Sequence, residues 1–250
     1  MTTVTTIRPE RPGPDELATL YAHPVGTDRA GAPGPWVRLN FVSTVDGSVT
    51  GADGVSGGLG GEADHDAYAA MRNACDVVLV GAGTARDEGY GPITSASVDT
   101  ERRRAAGLDL VPALAVVSSR LDVPASLLTG GTVVVTTTRA ASHTGLDVEL
   151  VAAGDEQIDW PVVLAAFAAR GWHRVLCEGG PHLAGALVAA DLVDEVCLTV
   201  APQLAGGAGP RLTSGAPAVD RGLRLAHVVV AGEVLLTRWL RDRPELGSRS

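Results

Sequence analysis

Apolar residues fall in short continuous runs, and most runs are separated by segments with helical spacing. "WVRLNFVSTVDGSVTG" (36–51) reads as a strand, a turn at Asp46-Gly47 and a second short strand. "VSGGLGG" (55–61) is a glycine-rich loop, and "EADHDAYAAMRNAC" (62–75) has helical spacing with acids in its first turn. "DVVLVGAGTAR" (76–86) reads as a buried strand entering a glycine turn, and Arg102–Arg104 lie in a polar helical stretch. "ALAVVSS" (113–119), "TVVVTT" (132–137) and "DVELVAAG" (147–154) are β-rich. "DWPVVLAAFAARG" (159–171) predicts a helix with Asp159 as N-cap, Pro161 in the first turn and Gly171 as stop. "HRVLCEGG" (173–180) predicts a strand, "PHLAGALVAADL" (181–192) a helix starting at Pro181, and "VDEVCLTVAPQLAGG" (193–207) a strand into a loop. The last two runs, 223–232 and 233–240, meet at Gly232-Glu233 as a hairpin.

This alternation implies an α/β fold: a mixed, mostly parallel sheet with helices on both faces and a C-terminal antiparallel hairpin. Residues 1–35 are rich in Pro and Gly, with one apolar patch at Leu17–Tyr21. They read as an N-terminal arm, partly ordered at best. Residues 36–241 read as a single domain and 242–250 as a flexible tail.

Composition narrows the chemistry. The chain has 250 residues, 45% of them hydrophobic, and a formal net charge of −9. That charge argues against nucleic acid or an anionic membrane as partner. No apolar run reaches the roughly 18 residues of a membrane span and no signal peptide begins the chain, so a cytoplasmic location is expected. All 20 basic residues are arginine, which rules out lysine Schiff bases and a Walker lysine. Cys75, Cys177 and Cys197 are far apart and expected to be inert thiols. His65, His143 and His182 lack metal spacing, so no metal is expected.

The strand ends carry the candidate chemistry. "VGAGTAR" (80–86), "VSSRLD" (117–122) and "CEGGPHLAG" (177–185) each follow a strand. Glycine there lets backbone amides approach a phosphate, and a following helix N-terminus adds partial positive charge. A tight turn without a ligand uses glycine in the same way. The Rossmann fingerprint fails, because position 86 is Arg86 where glycine or alanine is required. Arg120, after Ser118 and Ser119, suits an adenosine 2′-phosphate or is a solvated surface charge. Asp46, Asp53, Asp64 and Glu88 lie in or beside glycine-rich turns, as ligands to a substrate ring or as turn and cap residues.

Taken in order, "LNFVSTVDGSVTG", "RNACDVVLVGAGTARDEGYGP", "VLCEGGPHLAGALVAADLVDEVCLTVAPQLAGG" and the closing hairpin resemble the C-terminal reductase domain of RibD proteins. The resemblance covers about Trp36 to Leu240 and is nearest to the stand-alone RibD-like reductases of actinobacteria. It implies a three-layer, dihydrofolate-reductase-like fold, a homodimer and NADPH-dependent reduction of a pyrimidine ribosylamine 5′-phosphate in riboflavin biosynthesis. It places NADPH against Gly81, Gly83, Thr84, Ser118, Ser119, Gly179, Gly180, Pro181, His182, Leu183 and Ala184. Glu88 falls where the family has an acid near the nicotinamide. Asn40, Ser56, Asp64, Arg72 and Glu178 fall on the substrate side, Arg72 matching an arginine used on the substrate phosphate. Glu88 or Asp64 would supply or relay the proton.

The chain departs from the family pattern after the glycine-threonine turn. Asp87-Glu88-Gly89-Tyr90-Gly91-Pro92-Ile93 replaces an Asp-Asp-Pro followed by a phosphate-gripping arginine, and the next arginine is Arg102. Gly58 stands where the family has a tryptophan. The deaminase zinc pattern, HxE with PCxxC, is absent from the sequence. A second reading is therefore a dihydrofolate or other pterin-like reductase on the same fold. A third is a non-catalytic NADPH-binding module.

Overall fold

Strand β2 (Val77–Gly81) shows why the apolar runs are continuous rather than alternating. Val77 and Leu79 enter one core with Trp160, Val163 and Phe167, while Val78 and Val80 enter another with Leu17, Met71 and Ala85. A strand covered on both faces has no solvent side on which to place polar residues.

The computed structural model describes residues 11–24, 34–128 and 130–242. Within them the other strands are β1 (Trp36–Thr44), β3 (Ala113–Val117), β4 (Thr132–Thr136), β5 (Glu149–Ala152), β6 (Arg174–Cys177), β7 (Glu195–Ala201), β8 (Leu223–Ala231) and β9 (Val234–Arg241). They form one sheet in the order β5-β4-β3-β2-β6-β1-β7-β9-β8. Neighbours from β5 through β7 are parallel, and β9 pairs antiparallel with both β7 and β8. This is the mixed, mostly parallel α/β sheet with a C-terminal hairpin that the sequence implies. Gly232, at φ +65°, makes the hairpin turn.

The helices are α1 (Pro14–Leu20), α2 (Gly61–Asn73), α3 (Ala82–Asp87), α4 (Thr100–Ala105), α5 (Thr138–Ala141), α6 (Trp160–Ala168) and α7 (Pro181–Ala189). α6 and α7 cover one face of the sheet, and α1, α2 and α3 the other. Asp159 caps α6 by accepting from the Val162 N–H, as its position before Trp160-Pro161 predicts. No described helix is long and apolar enough to cross a membrane.

Two expectations are corrected. There is no second strand after Asp46-Gly47, because pairing with β1 stops after one bond and the chain then turns to a different partner. The Ser48 carbonyl accepts from Thr44 N, and Val49 N donates to the Pro210 carbonyl. The glycine turn after β2 is the start of α3, with Gly81 as its N-cap. Part of the expected N-terminal arm is packed: Leu17 and Tyr21 are buried. The tail beyond Asp242 lies outside the described residues.

The N-terminal helix is held by a buried charge cluster. Glu195 pairs with Arg38 at 2.6 Å and with Arg238 at 2.8 Å. Arg238 also donates to the Leu20 and Ala22 carbonyls at 2.6 and 3.0 Å. Burial alone would raise the Glu195 carboxyl; the two guanidiniums hold it below the usual carboxylate range.

Candidate active site

In chain order β6 arrives late, yet it inserts between β2 and β1. Its C-terminal end therefore opens beside those of β2 and β1, the place where open α/β sheets bind ligands. One cleft of about 1140 Å³ lies there, lined from β1 by Asn40, Phe41 and Val42, from β2 by Gly81, and from the end of β3 by Val117, Ser118 and Ser119.

The glycines after β6 allow an unusually close approach of two chain segments. Gly81 N donates to the Gly179 carbonyl at 2.8 Å. Gly179, at φ +97°, lies against the Phe41 ring, where a Cβ would come within 3.1 Å. A Cβ on Gly180 would collide with Thr84 Oγ1. α7 then starts at Pro181, its N-cap Gly180 giving no side-chain cap. The first-turn N–H groups of His182 and Leu183 have no partner within the helix and point along its N-terminal axis.

Glu178 forms the floor. Arg72 donates to it twice, from Nε and Nη2, each at 2.7 Å. Tyr90 and Tyr68 hydroxyls donate to Oε2 at 2.9 and 3.3 Å. The guanidinium carbon of Arg72 sits 4.3 Å above the Tyr68 ring. Burial, and then the Glu178 charge, push both phenols above their ordinary pKa. Burial pulls Arg72 down, but its bonds to Glu178 more than offset this and keep it above its ordinary value.

Across the cleft, Glu88 is the C-cap of α3, and its Oε1 accepts from the Ser56 backbone N–H at 2.7 Å. That bond ties the glycine loop to α3. Asp64 stands in the first turn of α2, where the missing side chain of Gly60 leaves it room. Burial raises the Asp64 carboxyl, and a hydrogen bond from Thr199 offsets part of the rise.

Most residues singled out from the sequence meet here. Asn40, Ser56, Asp64, Gly81, Gly83, Thr84, Glu88, Ser118, Ser119, Arg120, Glu178, Gly180, Pro181, His182 and Leu183 all line the cleft. Gly179, Ala184 and Arg72 do not. Gly179 gives its carbonyl to Gly81, and Ala184 is wholly buried on the core side of α7. Arg72 is committed to Glu178 with its side chain 13% exposed, so no free arginine stands where the resemblance puts a phosphate ligand. Arg102 is no substitute: it lies on α4, pairs with Asp15 and Asp99, and is not among the lining residues. Sequence reasoning missed Tyr68, Tyr90, Arg86 and Asp122, which also line the cleft. For Tyr68 a signal was present, since Asp64, Tyr68 and Arg72 recur every fourth residue along one helix face.

The three cysteines are buried and free. Burial pushes the Cys75 and Cys177 thiols up to about 12 and Cys197 well above the ordinary range, so no thiolate is poised for chemistry.

Residues 35–237 match the RibD C-terminal domain family. The chain belongs to that family. Over 222 residues it is 27% identical to the 2,5-diamino-6-ribosylamino-4(3H)-pyrimidinone 5′-phosphate reductase of Methanothermobacter thermautotrophicus, covering 82% of this chain and 97% of the relative. The enzyme of the same name from Archaeoglobus fulgidus is 28% identical over 182 residues, covering 69% and 83%. In structure, the RibD-like chain superposes on a pyrimidine reductase-like protein from Corynebacterium diphtheriae with a TM-score of 0.78 and 23% identity, covering 91% and 99%. That likeness establishes the shared fold.

Proposed function

We propose that this RibD-family chain is an NADPH-dependent reductase that converts a pyrimidine ribosylamine 5′-phosphate to its ribityl form. The observation that carries the reading is a single cleft with two differently built halves. One half has glycine-lined strand ends, the start of α7 and two arginines, Arg86 and Arg120; the other has Asn40, Ser56, Asp64 and Glu88. The volume of about 1140 Å³ exceeds that of an ordinary small-molecule site, which runs to about 1,000 Å³, as a dinucleotide and a second ligand together require.

The residues present fit the cofactor. Gly83 has open space where a side chain would stand, and Gly180 and Thr84 make a close-packed turn beside the start of α7. Main-chain N–H groups of Gly83, His182 and Leu183 would hold the pyrophosphate, and Thr84 would fix the turn. When bound, NADPH supplies the hydride. Glu88 holds the 55–61 loop through Ser56 N and so shapes the wall between the two halves. Asp64, its carboxyl raised by burial, would deliver the proton that accompanies the hydride. Glu178 acts as a fixed acceptor on the floor, its position set by Arg72, Tyr68 and Tyr90.

The test is consumption of NADPH by the purified chain with the deaminated pyrimidine ribosylamine phosphate and, in parallel, with dihydrofolate. Turnover of the first alone supports this reading. Turnover of dihydrofolate instead would move the enzyme to a pterin-like substrate. One observation favours that second reading: the substrate half of the cleft has no arginine among its lining residues, while Asp64 remains to accept ring N–H groups. A homodimer, as the resemblance implies, belongs to the same proposal. β8 is an edge strand with Leu223 and Leu225 exposed, and light scattering would report the assembly mass.

A further inference from the structure

We propose that Tyr21, at the end of α1, is a positioning residue of the reaction: with Leu17 it closes the back of α2 and keeps water from Asp64. The inference rests on the reductase reading, in which Asp64 gives the proton, and deepens it. α1 lies ahead of the stretch 35–237 that matches the family.

The helix that carries Asp64 is weakly held by its own sequence. α2 starts after Gly60, which gives no side-chain cap, and its buried residues are only Ala67 and Met71. One side presents Asp64 and Tyr68 to the cleft. The other is packed by α1. Leu17 and the C-cap residue Tyr21 stand one turn apart, are each 2% exposed, and share a core cluster with Ala67 and Met71. Just ahead of α1, Arg11 donates to Asp66 from Nε at 2.9 Å and to Glu62 from Nη1 at 2.5 Å, both on α2. On its far side Tyr21 meets the C-terminal hairpin. Its ring lies edge-on to His227 of β8 at 5.3 Å, and Arg238 of β9 holds the carbonyls of Leu20 and Ala22 on either side of it. Tyr21 is a wedge between α2 and the hairpin.

The wedge reaches Asp64 electrostatically. Burial raises the Tyr21 phenol first, and Cys197 and Asp64 add to the rise. For Asp64 itself burial is the largest influence and raises the carboxyl; Thr199 on β7 and the charge of His65 beside it on α2 oppose the rise. The charged groups around them are spent elsewhere. Arg38 and Arg238, which act on Tyr21, pair with Glu195, and Glu62 and Asp66 pair with Arg11. What keeps water from Asp64 therefore governs its proton. A gap at Tyr21 admits water behind α2 and returns the carboxyl toward the ordinary carboxylate range.

The experiment follows kcat and KM against pH for NADPH oxidation with the deaminated pyrimidine ribosylamine phosphate. In parallel, carbon-13 NMR of the full chain with labelled aspartate follows the Asp64 carboxyl, its signal assigned by its loss in Asp64→Asn. Tyr21→Leu is expected to move the limb set by Asp64, and the NMR titration with it, to lower pH. Above the limb kcat falls about tenfold for each pH unit of that movement. KM stays unchanged, because Tyr21 is not among the residues lining the cleft. Tyr21→Phe keeps the ring and is expected to titrate as the wild type does. If Tyr21→Leu does not fold, Leu17→Val trims the same wedge by one methylene and is expected to give a smaller shift of the same sign. A carboxyl that titrates as in the wild type, in whichever of the two folds, overturns the inference and leaves Tyr21 a core residue only. A raised KM with an unmoved limb overturns it as well, since the residue would then shape the cleft and not the proton. If the wild-type chain turns over neither this substrate nor dihydrofolate, the reductase reading fails, while the NMR titration still decides whether Tyr21 governs Asp64.

Discussion

Glu178 is the residue on which the cleft floor depends. Its carboxylate neutralises a guanidinium that has almost no access to water, so the two charges are tolerable only as a pair. Glu178→Gln is expected to destabilise the fold by about 3 kcal/mol or more, because Arg72 stays buried without its counter-ion. Tyr90→Phe removes one bond to the same carboxylate and should cost about 1.5–3 kcal/mol. Urea denaturation of both variants measures this, and equal losses would mean that the arginine finds another partner. Gly180 makes a steric prediction. Gly180→Ala is expected to cost about 1–3 kcal/mol through the clash with Thr84 Oγ1, and adding Thr84→Ala should recover most of it. If the double variant is no better than the single, the strain lies elsewhere. Asp64 makes a kinetic one. Its raised carboxyl predicts a pH–rate profile in which kcat falls as pH climbs through an ionisation above the usual carboxylate range. Asp64→Asn should abolish that limb; an unchanged profile would exclude Asp64 as the proton source.

At the scale of elements, α1 shows how a segment too weak to be read locally is fixed from outside. A seven-residue helix is well below the roughly 12–15 residues that an isolated helix needs. Here Leu17 is 2% exposed, and Arg238 on β9 holds the Leu20 and Ala22 carbonyls. Leu17→Ala is expected to cost about 2–5 kcal/mol, as for any well-packed core leucine, rather than the near-zero cost of a change in a loose arm. The segment just after α1 carries a pH dependence. Burial first, then the charges of Arg38, Arg174 and Arg238, lower His23 from 6.5 to about 2. Between those values the unfolded chain binds a proton that the folded chain refuses, so stability rises with pH across that window and is full above it. The slope from this one group is at most about 1.4 kcal/mol per pH unit. Melting curves between acid and neutral pH should flatten in His23→Gln, and a slope that persists unchanged would assign it to other groups.

At the scale of the molecule, the cleft joins a glycine-lined half and an acid-bearing half at the insertion point of β6. Saturating NADPH is expected to stabilise the chain by about 2.7 kcal/mol at a hundredfold excess over Kd. A melting temperature indifferent to NADPH would remove the cofactor from the reading. The glycine-lined half was the more legible in the sequence. Gly81, Gly83, Thr84 and Gly180 announce themselves, because only small residues permit the close approach of two chain segments seen there. The acid-bearing half was less so. Arg72 looked like a phosphate ligand because one-dimensional spacing does not say which carboxylate waits behind it, and Tyr90 gave no signal until its hydroxyl was seen on Glu178.

By itself, then, the sequence determined the α/β class, the succession of strands and helices and the ends of strands that gather round the cleft. Those follow from burial on two faces and from glycine and cap chemistry, which act over a few residues. Only the tertiary structure decided that β6 lies between β2 and β1, that α1 is packed on the sheet, and that Arg72 is spent on Glu178 while Arg86 pairs with the exposed Asp122. These are pairings between residues tens to hundreds of positions apart. Their energies come from which charges are buried together, a property of the assembled core that no local pattern records.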